Sequence, residues 1–510
     1  MNKNKPFDVL VIGAGIGGLS SAAILVKNNL KTLVLEAHSV SGGCASFFDK
    51  YSTNSNGVSE KFRFDVGATT ISAVKNNQPL GILFKMLDIS LPLSKIDPGL
   101  VCHLKNGINI IRYSQKEKWI NECIIKFGEV GQFKFWEKVY ELNDLAWNLA
   151  IENPSFPPKS LNDILRMVRF NNLKNLNLLK YLNSSVADFM HSCGNYDNLS
   201  FRDFIDEQLK ITSQNSSEKT PMLVGSMGLA YPSETYYPLG GMYSLSNCIE
   251  NKFKELGGII KFKTKVVSIE KEENMWRITT KKNEVYYSKI VLSNSTIYDM
   301  TKILKNNNYF ENEIQKHEEP LSAFVCYFVV ENTFDDLGTL YHQIHASEIP
   351  FCGSNSIFLS LSAIDDEIKA PKGWRVATVS THTSVTDWLK LARSEKNSHE
   401  KNEYYSRKNY LEKFILKSIE NVLPGFSNAN KKLIKSGTPN SFEFFTNRKN
   451  GYVGGIAHDI KNNILFATKH RTNRKNLFMI GDTVYPGQGT PAVVMCAINA
   501  VYEILQSNLL

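Results

Sequence analysis

The chain holds 510 residues, 42% of them hydrophobic and 21% charged, with 31 Gly, 17 Pro and 8 Cys. That is a globular composition, sized for about two to four domains or one elaborated fold, and it excludes a mainly disordered, collagen-like or disulfide-stapled chain. The net charge of +9 is spread over scattered Lys with no long basic run, so no nucleic-acid partner is expected, while a basic face toward anionic lipid stays open.

Cys44, Cys102, Cys123, Cys193, Cys248, Cys326, Cys352 and Cys496 show neither C-x-x-C nor zinc-ligand spacing. They read as mostly buried thiols in a reducing compartment. No apolar stretch is long enough to span a bilayer without polar interruption. Lys3 and Lys5 ahead of the run Val9–Val26 superficially resemble a signal peptide, but the glycines in that run have another use.

Asp8-Val-Leu-Val-Ile-Gly13 predicts a buried parallel strand. It closes on G-x-G-x-x-G, with Gly13, Gly15 and Gly18 in the three glycine positions. A helix over Leu19–Lys27 and a second strand over Lys31–Glu36 follow. Gly13 permits the tight turn, Gly15 lets backbone approach a pyrophosphate, Gly18 lets helix pack on strand, and Glu36 stands where a carboxylate accepts ribose hydroxyls. The unit is a dinucleotide site. Ser41-Gly42-Gly43-Cys44 adds a second glycine pair directly after it.

The segment Leu161–Leu182 has apolar residues near helical spacing beside Arg166, Arg169, Lys174 and Lys180. It reads as a substrate-domain helix or as a helix lying on a membrane. Further on, a helix is predicted over Ser244–Leu256, strands over Ile259–Lys263 and Val266–Lys271, and a hairpin from Trp276–Thr280 and Glu284–Tyr287. Phe324–Val330, Ser356–Ser362 and Arg375–Thr381 predict another sheet. Lys390–Asn409 reads as a charged exposed linker into a helix over Tyr410–Val422.

Near the carboxyl end, Asn476-Leu-Phe-Met-Ile-Gly481-Asp482 predicts a strand closing on Gly-Asp. Pro486-Gly487-Gln488-Gly489-Thr490-Pro491 then opens a helix to Leu505, with Thr490 as N-cap and Pro491 in the first turn. Two chain ends serving one cofactor fit FAD better than NAD, and there is no second G-x-G-x-x-G for a separate NADPH site.

These motifs, with Phe64-Asp65-Val66-Gly67-Ala68-Thr69, Pro238-Leu-Gly240-Gly241-Met242, Thr264-Lys-Val266-Val267-Ser-Ile269, Val291-Leu-Ser-Asn294, Thr438-Pro439, Gly451-Tyr-Val-Gly454-Gly455 and Gly481-Asp482, run in order over most of the chain. Together they resemble the FAD-dependent carotenoid desaturase, carotene isomerase and retinol saturase family. Within it, Phe64–Thr70 and Ser354–Trp388 look most like bacterial carotenoid 3,4-desaturases.

The resemblance implies an α/β fold: a Rossmann-type FAD-binding domain of glutathione-reductase-like, amine-oxidase-like topology with an interleaved α+β substrate domain. The first would take residues 1–75, 235–300 and 465–510, the second 76–234 and 301–464. It implies FAD held by Gly13, Gly15, Gly18, Glu36, Gly43, the Val267 backbone at the adenine, Asp482, Gly489, Thr490 and Ala492. Many relatives carry Arg where this chain has Cys44, which removes one phosphate-facing charge. The implied reaction is desaturation of a carotenoid or other polyene lipid by hydride transfer to flavin, with quinone or oxygen as acceptor, in a cytoplasmic, peripherally membrane-associated protein.

No catalytic acid, base or metal site is identifiable. Glu443, Arg448, Tyr452 and His458 are candidate polar groups at the tunnel end, and Phe442, Phe444 and Phe445 could stack on a polyene. Two alternatives stand: a cis–trans isomerase of the prolycopene isomerase type using reduced FAD, and a non-enzymatic prenyl carrier of the Rab GDP-dissociation type.

Overall fold

The computed structural model describes residues 6–53, 57, 59–158, 181, 183–305, 308–462 and 464–506. Two seven-stranded sheets organise them. In the first, Phe7–Ile12 pairs in parallel with Thr32–Leu35 on one side and with Val285–Ser293 on the other. Ile259–Lys261 and Leu477–Met479 extend the two flanks, also in parallel. Val9, Leu10 and Val11 are fully buried; because alternate side chains point to opposite faces, both faces of this strand must be covered. The helices Ile16–Lys27, Tyr243–Glu255 and Thr490–Gln506 supply that cover, with Leu19, Leu245, Ile249 and Val494 in one core.

The hairpin expected over 276–287 is longer than its sequence suggested. Its second arm runs from Val285 to Ser293, beginning antiparallel to Met275–Thr280 and continuing parallel to Phe7–Ile12. Lys289 marks the sequence break, yet the strand runs through it by pairing with Phe7–Ile12, and its ammonium meets Asp8 at 2.9 Å.

The second sheet runs in the order Lys431–Gly437, Ser322–Glu331, Trp374–Thr383, Ser356–Leu361, Tyr341–His345, Leu100–His103, Asn109–Arg112. One face packs Phe324, Phe328, Leu359 and Val379 together with Trp388, Leu411 and Ile415. Those last three lie on the helices Thr386–Arg393 and His399–Val422, so most of the stretch expected as a linker is helical. Its charges line the solvent side, while Tyr404, Leu411, Ile415 and Ile419 form the buried stripe.

The hairpin Phe47–Thr53 and Ser59–Asp65 packs Phe62 and Phe64 against Val325 and Tyr327 of the second sheet. The helix Pro79–Leu87 instead joins the core of the first sheet. The segment 161–182 lies, apart from Tyr181, outside the described residues. No described helix is long and apolar enough to cross a membrane. Between the sheets lies a cavity of about 1200 Å³ lined by residues of both.

Candidate functional site

The cavity has two halves. Its first is built on the turn after Phe7–Ile12. Gly13 has φ +92°, a left-handed conformation that side chains disfavour, and it redirects the chain into the helix Ile16–Lys27. Gly15 caps that helix without any side-chain hydrogen bond, and its first turn carries no acid. Gly13, Gly15, Ile16 and Gly17 line the cavity, so the free helix-start amides and the positive dipole end border it. A Cβ on Gly18 would collide with the Gly13 carbonyl, and one on Gly15 would come within 2.7 Å of Asn294 Nδ2. The glycines therefore keep helix, strand and Asn294 in contact around an open cradle.

Glu36 ends the second strand and lines the same cavity. Its Oε2 accepts from the Ala14 amide at 2.7 Å and its Oε1 from the His38 amide at 2.7 Å. Both bonds fix the carboxylate while leaving further lone pairs on each oxygen. Gly42 and Gly43 both have positive φ, and the Gly42 amide donates to Ala14 O at 2.8 Å, drawing the second glycine pair onto the first turn. Val267 sits at a register shift between Val266 and Ser268, a bulge that leaves it without a ladder partner beside the cavity.

The carboxyl-terminal segment closes this half. Gly481, Asp482, Gly489, Thr490 and Ala492 all line the cavity, and the helix starts at Thr490 itself. Asp482 receives a two-pronged ion pair from Arg448, at 2.8 Å (Nη1–Oδ2) and 3.0 Å (Nη2–Oδ1). Burial works against the Arg448 charge, but the Asp482 carboxylate more than offsets it, and the guanidinium is held charged. Arg448 Nη1 also lies 3.9 Å from Cys44 Sγ. Burial pushes the Cys44 thiol up, with Arg448 opposing. The position therefore carries a protonated thiol, and a cation reaches it from a distant part of the chain.

The other candidates divide. His458 lines the cavity, and burial, then neighbouring His317, lower its pKa to about 4. Glu443 and Tyr452 do not line it: Glu443 accepts from the Asn450 amide at 3.1 Å and pairs with Arg393, and the Tyr452 hydroxyl donates to Glu319 at 2.7 Å. Phe442 and Phe445 line the cavity, Phe442 packed against the cluster that holds Phe64, Val325 and Tyr327, and Phe445 with Lys435 Nζ 5.7 Å from its ring centre. Phe444 is 75% exposed.

The second half lies between the inner face of the second sheet and the helices Leu199–Ser213 and Met222–Ala230, which contribute Gln208, Ile211, Val224 and Met227. Tyr327 and Tyr341 hold the loop between the halves, their hydroxyls donating to Val66 O at 2.8 Å and Thr69 O at 3.0 Å. Thr69 in turn bonds Ser360 at 2.8 Å between hydroxyls. Burial raises the pKa of both tyrosines, so this wall stays uncharged. Asn294, Tyr327 and Tyr341 are site residues that sequence reasoning missed; Asn294 stood in the quoted Val291–Asn294 motif without a role. Among the described residues no group of three His, Cys, Asp or Glu side chains could hold a metal.

Residues 11–87 match the NAD(P)-binding Rossmann-like domain family. Over 98% of this chain and 80% of its own length, a chloroplastic prolycopene isomerase of Daucus carota is 24% identical. A 1-hydroxycarotenoid 3,4-desaturase of Flavobacterium sp. (strain P99-3) is 22% identical over 96% of this chain and 97% of its own. Over nearly its whole length the chain is similar to members of the carotenoid desaturase and isomerase family. Among solved structures, putrescine oxidase superposes over 99% of this chain and 100% of its own with a TM-score of 0.65 at 15% identity, a likeness of fold. The Rossmann-type fold with an interleaved second sheet is thus shared with an oxidase on one side and the family's enzymes span the chain on the other.

Proposed function

We propose that the protein is an FAD-dependent oxidoreductase that introduces a carbon–carbon double bond into a carotenoid, of the 3,4-desaturase type. The observation that carries the reading is the single cavity, in which a dinucleotide cradle opens into an uncharged chamber. With FAD bound, Gly13, Gly15 and Gly43 with the helix start would hold the pyrophosphate, Gly18 would keep helix and strand close behind them, Glu36 would take the ribose, and the Val267 backbone would meet adenine. Asp482, Gly489, Thr490 and Ala492 border the flavin end. The carboxyl-terminal residues sharing this cavity with Gly13–Gly18 favour FAD over a shorter nicotinamide site, although the matching domain family is described by NAD(P).

FAD, when bound, supplies a two-electron acceptor that quinone or oxygen would regenerate. The chain's own part is positional. The inner sheet face and the two helices orient the polyene and exclude water, and the tyrosine-anchored loop Val66–Thr69 fixes where the two halves meet. His458 is neutral at physiological pH, so its ring adds no charge to the wall. Residues 1–75, 235–300 and 465–510 supply most of the cofactor domain, joined by the helix Pro79–Leu87, and 76–234 with 301–464 otherwise supply the substrate domain; the protein meets its lipid-dissolved substrate as a cytoplasmic, peripherally membrane-associated enzyme.

Cis–trans isomerisation is the second reading, supported by the identity to prolycopene isomerases. Mass analysis of pigments in a carotenoid-producing host separates the two. Desaturation yields pigments lighter by two hydrogens; unchanged mass with altered cis–trans composition replaces it with isomerisation, and unaltered pigments refute both.

A further inference from the structure

The turn that opens the helix Thr490–Gln506 lies where the two halves of the cavity meet. Pro486, Gln488 and Gly489 of that turn line the cavity, and Gln488 Nε2 donates to Ile211 O at 3.0 Å. Ile211 and Thr212, at the end of the helix Leu199–Ser213, belong to the substrate chamber. That helix end and the loop after it also fix His458. The His458 amide donates to Ser213 O at 2.9 Å, and Asn215 Nδ2 donates to His458 O at 2.8 Å. Gly487 has φ +113°, and a Cβ on it would stand 2.6 Å from His458 Nε2 and 2.9 Å from Cε1. The bare glycine therefore leaves room at the ring nitrogen.

The His458 backbone is pinned, but its ring is uncommitted. It lines the cavity, makes no hydrogen bond among the described residues, and neither ring nitrogen is sealed off. Burial, then His317, lower its pKa to about 4, so one nitrogen carries a free lone pair at physiological pH. Other basic groups of the wall are engaged or placed elsewhere. Its four carboxylates each have a partner: Asp482 in Arg448, Asp49 in Arg63, Asp299 in Thr296, and Glu36 in two backbone amides. His38 and His382 also line the cavity, but His38 follows the strand Thr32–Leu35 and His382 lies on the sheet strand Trp374–Thr383.

We propose that His458 is the proton acceptor of the reaction. This rests on the desaturation reading above and adds one chemical task to the positional ones. Forming the double bond removes two hydrogens from adjacent carbons. One leaves as hydride, with its bonding electron pair, for the two-electron acceptor that FAD supplies. The other leaves as a proton to the His458 lone pair, and the electrons of its C–H bond become the new π bond. That proton and the hydride are consumed together when quinone or oxygen is reduced. A carbon that has lost hydride is positively charged and makes the neighbouring C–H far more acidic than an imidazolium, so a weak base suffices.

Two measurements on the full chain test this, both with an acyclic forty-carbon polyene that carries a saturated CH2–CH2 bond at the end of its conjugated chain. The first needs neither a variant nor turnover. Histidines are modified with diethyl pyrocarbonate, with and without the polyene, and the modified peptides are identified by mass. His458 should react in the free protein and be protected by the polyene. A His458 that resists the reagent in the free protein, or reacts equally with the polyene bound, overturns the inference. The second follows loss of oxidised-flavin absorbance after anaerobic mixing with the polyene. His458→Gln should slow it by roughly a hundredfold with flavin per chain and polyene affinity unchanged, and free imidazole should restore part of the rate in His458→Ala. Variant rates within about threefold of wild type overturn the inference and leave desaturation in place. A polyene that does not reduce the wild-type flavin removes both. If the variants lose flavin, protection of His458 in the wild-type protein decides.

Discussion

Replacing Arg448 with Met leaves the Asp482 carboxylate without its partner at the centre of the site. The two side chains are 16% and 19% exposed, so the pair is largely withdrawn from solvent. Breaking a buried pair by removing one member costs about 3–5 kcal/mol. Both groups line the open cavity, which places the cost near the lower bound, about 3 kcal/mol. Unfolding entropy of about 2.1 cal/mol/K per residue over 510 residues gives about 1.1 kcal/mol/K. The expected fall in Tm is therefore about 3 °C, measured by calorimetry on nucleotide-free protein. The double variant Arg448→Met with Asp482→Asn should recover most of that loss, because no carboxylate is then stranded. A Tm for Arg448→Met within about 1 °C of wild type, or a double variant that falls by the sum of the singles, would refute the argument that the pair is held by mutual compensation.

Glu36→Gln keeps the size of the side chain but replaces one acceptor oxygen with a donor facing a backbone amide, so bound flavin per chain should drop by roughly tenfold at limiting cofactor; unchanged occupancy would remove Glu36 from the site. His345, His382 and His458 stay neutral down to about pH 4, whereas an unfolded imidazole titrates near pH 6.5. Between those values the unfolded chain binds more protons, so stability should fall with decreasing pH, by up to about 1.4 kcal/mol per pH unit for each histidine, and show no such slope above about pH 7.5. A Tm that is flat from pH 7 to pH 5 would contradict the buried, neutral state of these rings.

The nucleotide half was legible because its signals are local. Gly13, Gly15, Gly18 and Glu36 lie within one strand–helix–strand unit, and their spacing alone places them. Gly481 and Asp482 were legible for a similar reason, a buried apolar strand that stops on Gly-Asp. What joins distant segments was not. Arg448 stood among the candidates for the tunnel end, but only folding brings it onto Asp482 and Cys44. The surroundings of Phe442 and Phe445 were hidden for the same reason, since the helix Pro439–Thr446 follows the edge strand Lys431–Gly437. The stretch around Lys390 to Asn409 hid its helices because charge dominates the composition, while one buried residue per one or two turns suffices to dock them. That Tyr327, Thr378, Ser360 and Tyr341 lie side by side was invisible because cross-strand register cannot be read from isolated alternating strands.

The most direct test of the account is the chemical identity of the cofactor. The protein should be purified without added nucleotide, its absorbance recorded, and the chromophore released by heat and identified by mass. One flavin adenine dinucleotide per chain, reduced roughly tenfold in Glu36→Gln, is the expected result. Protein without flavin that binds added FAD no better than a nicotinamide dinucleotide would contradict the assignment of the cradle, and with it the proposed reaction.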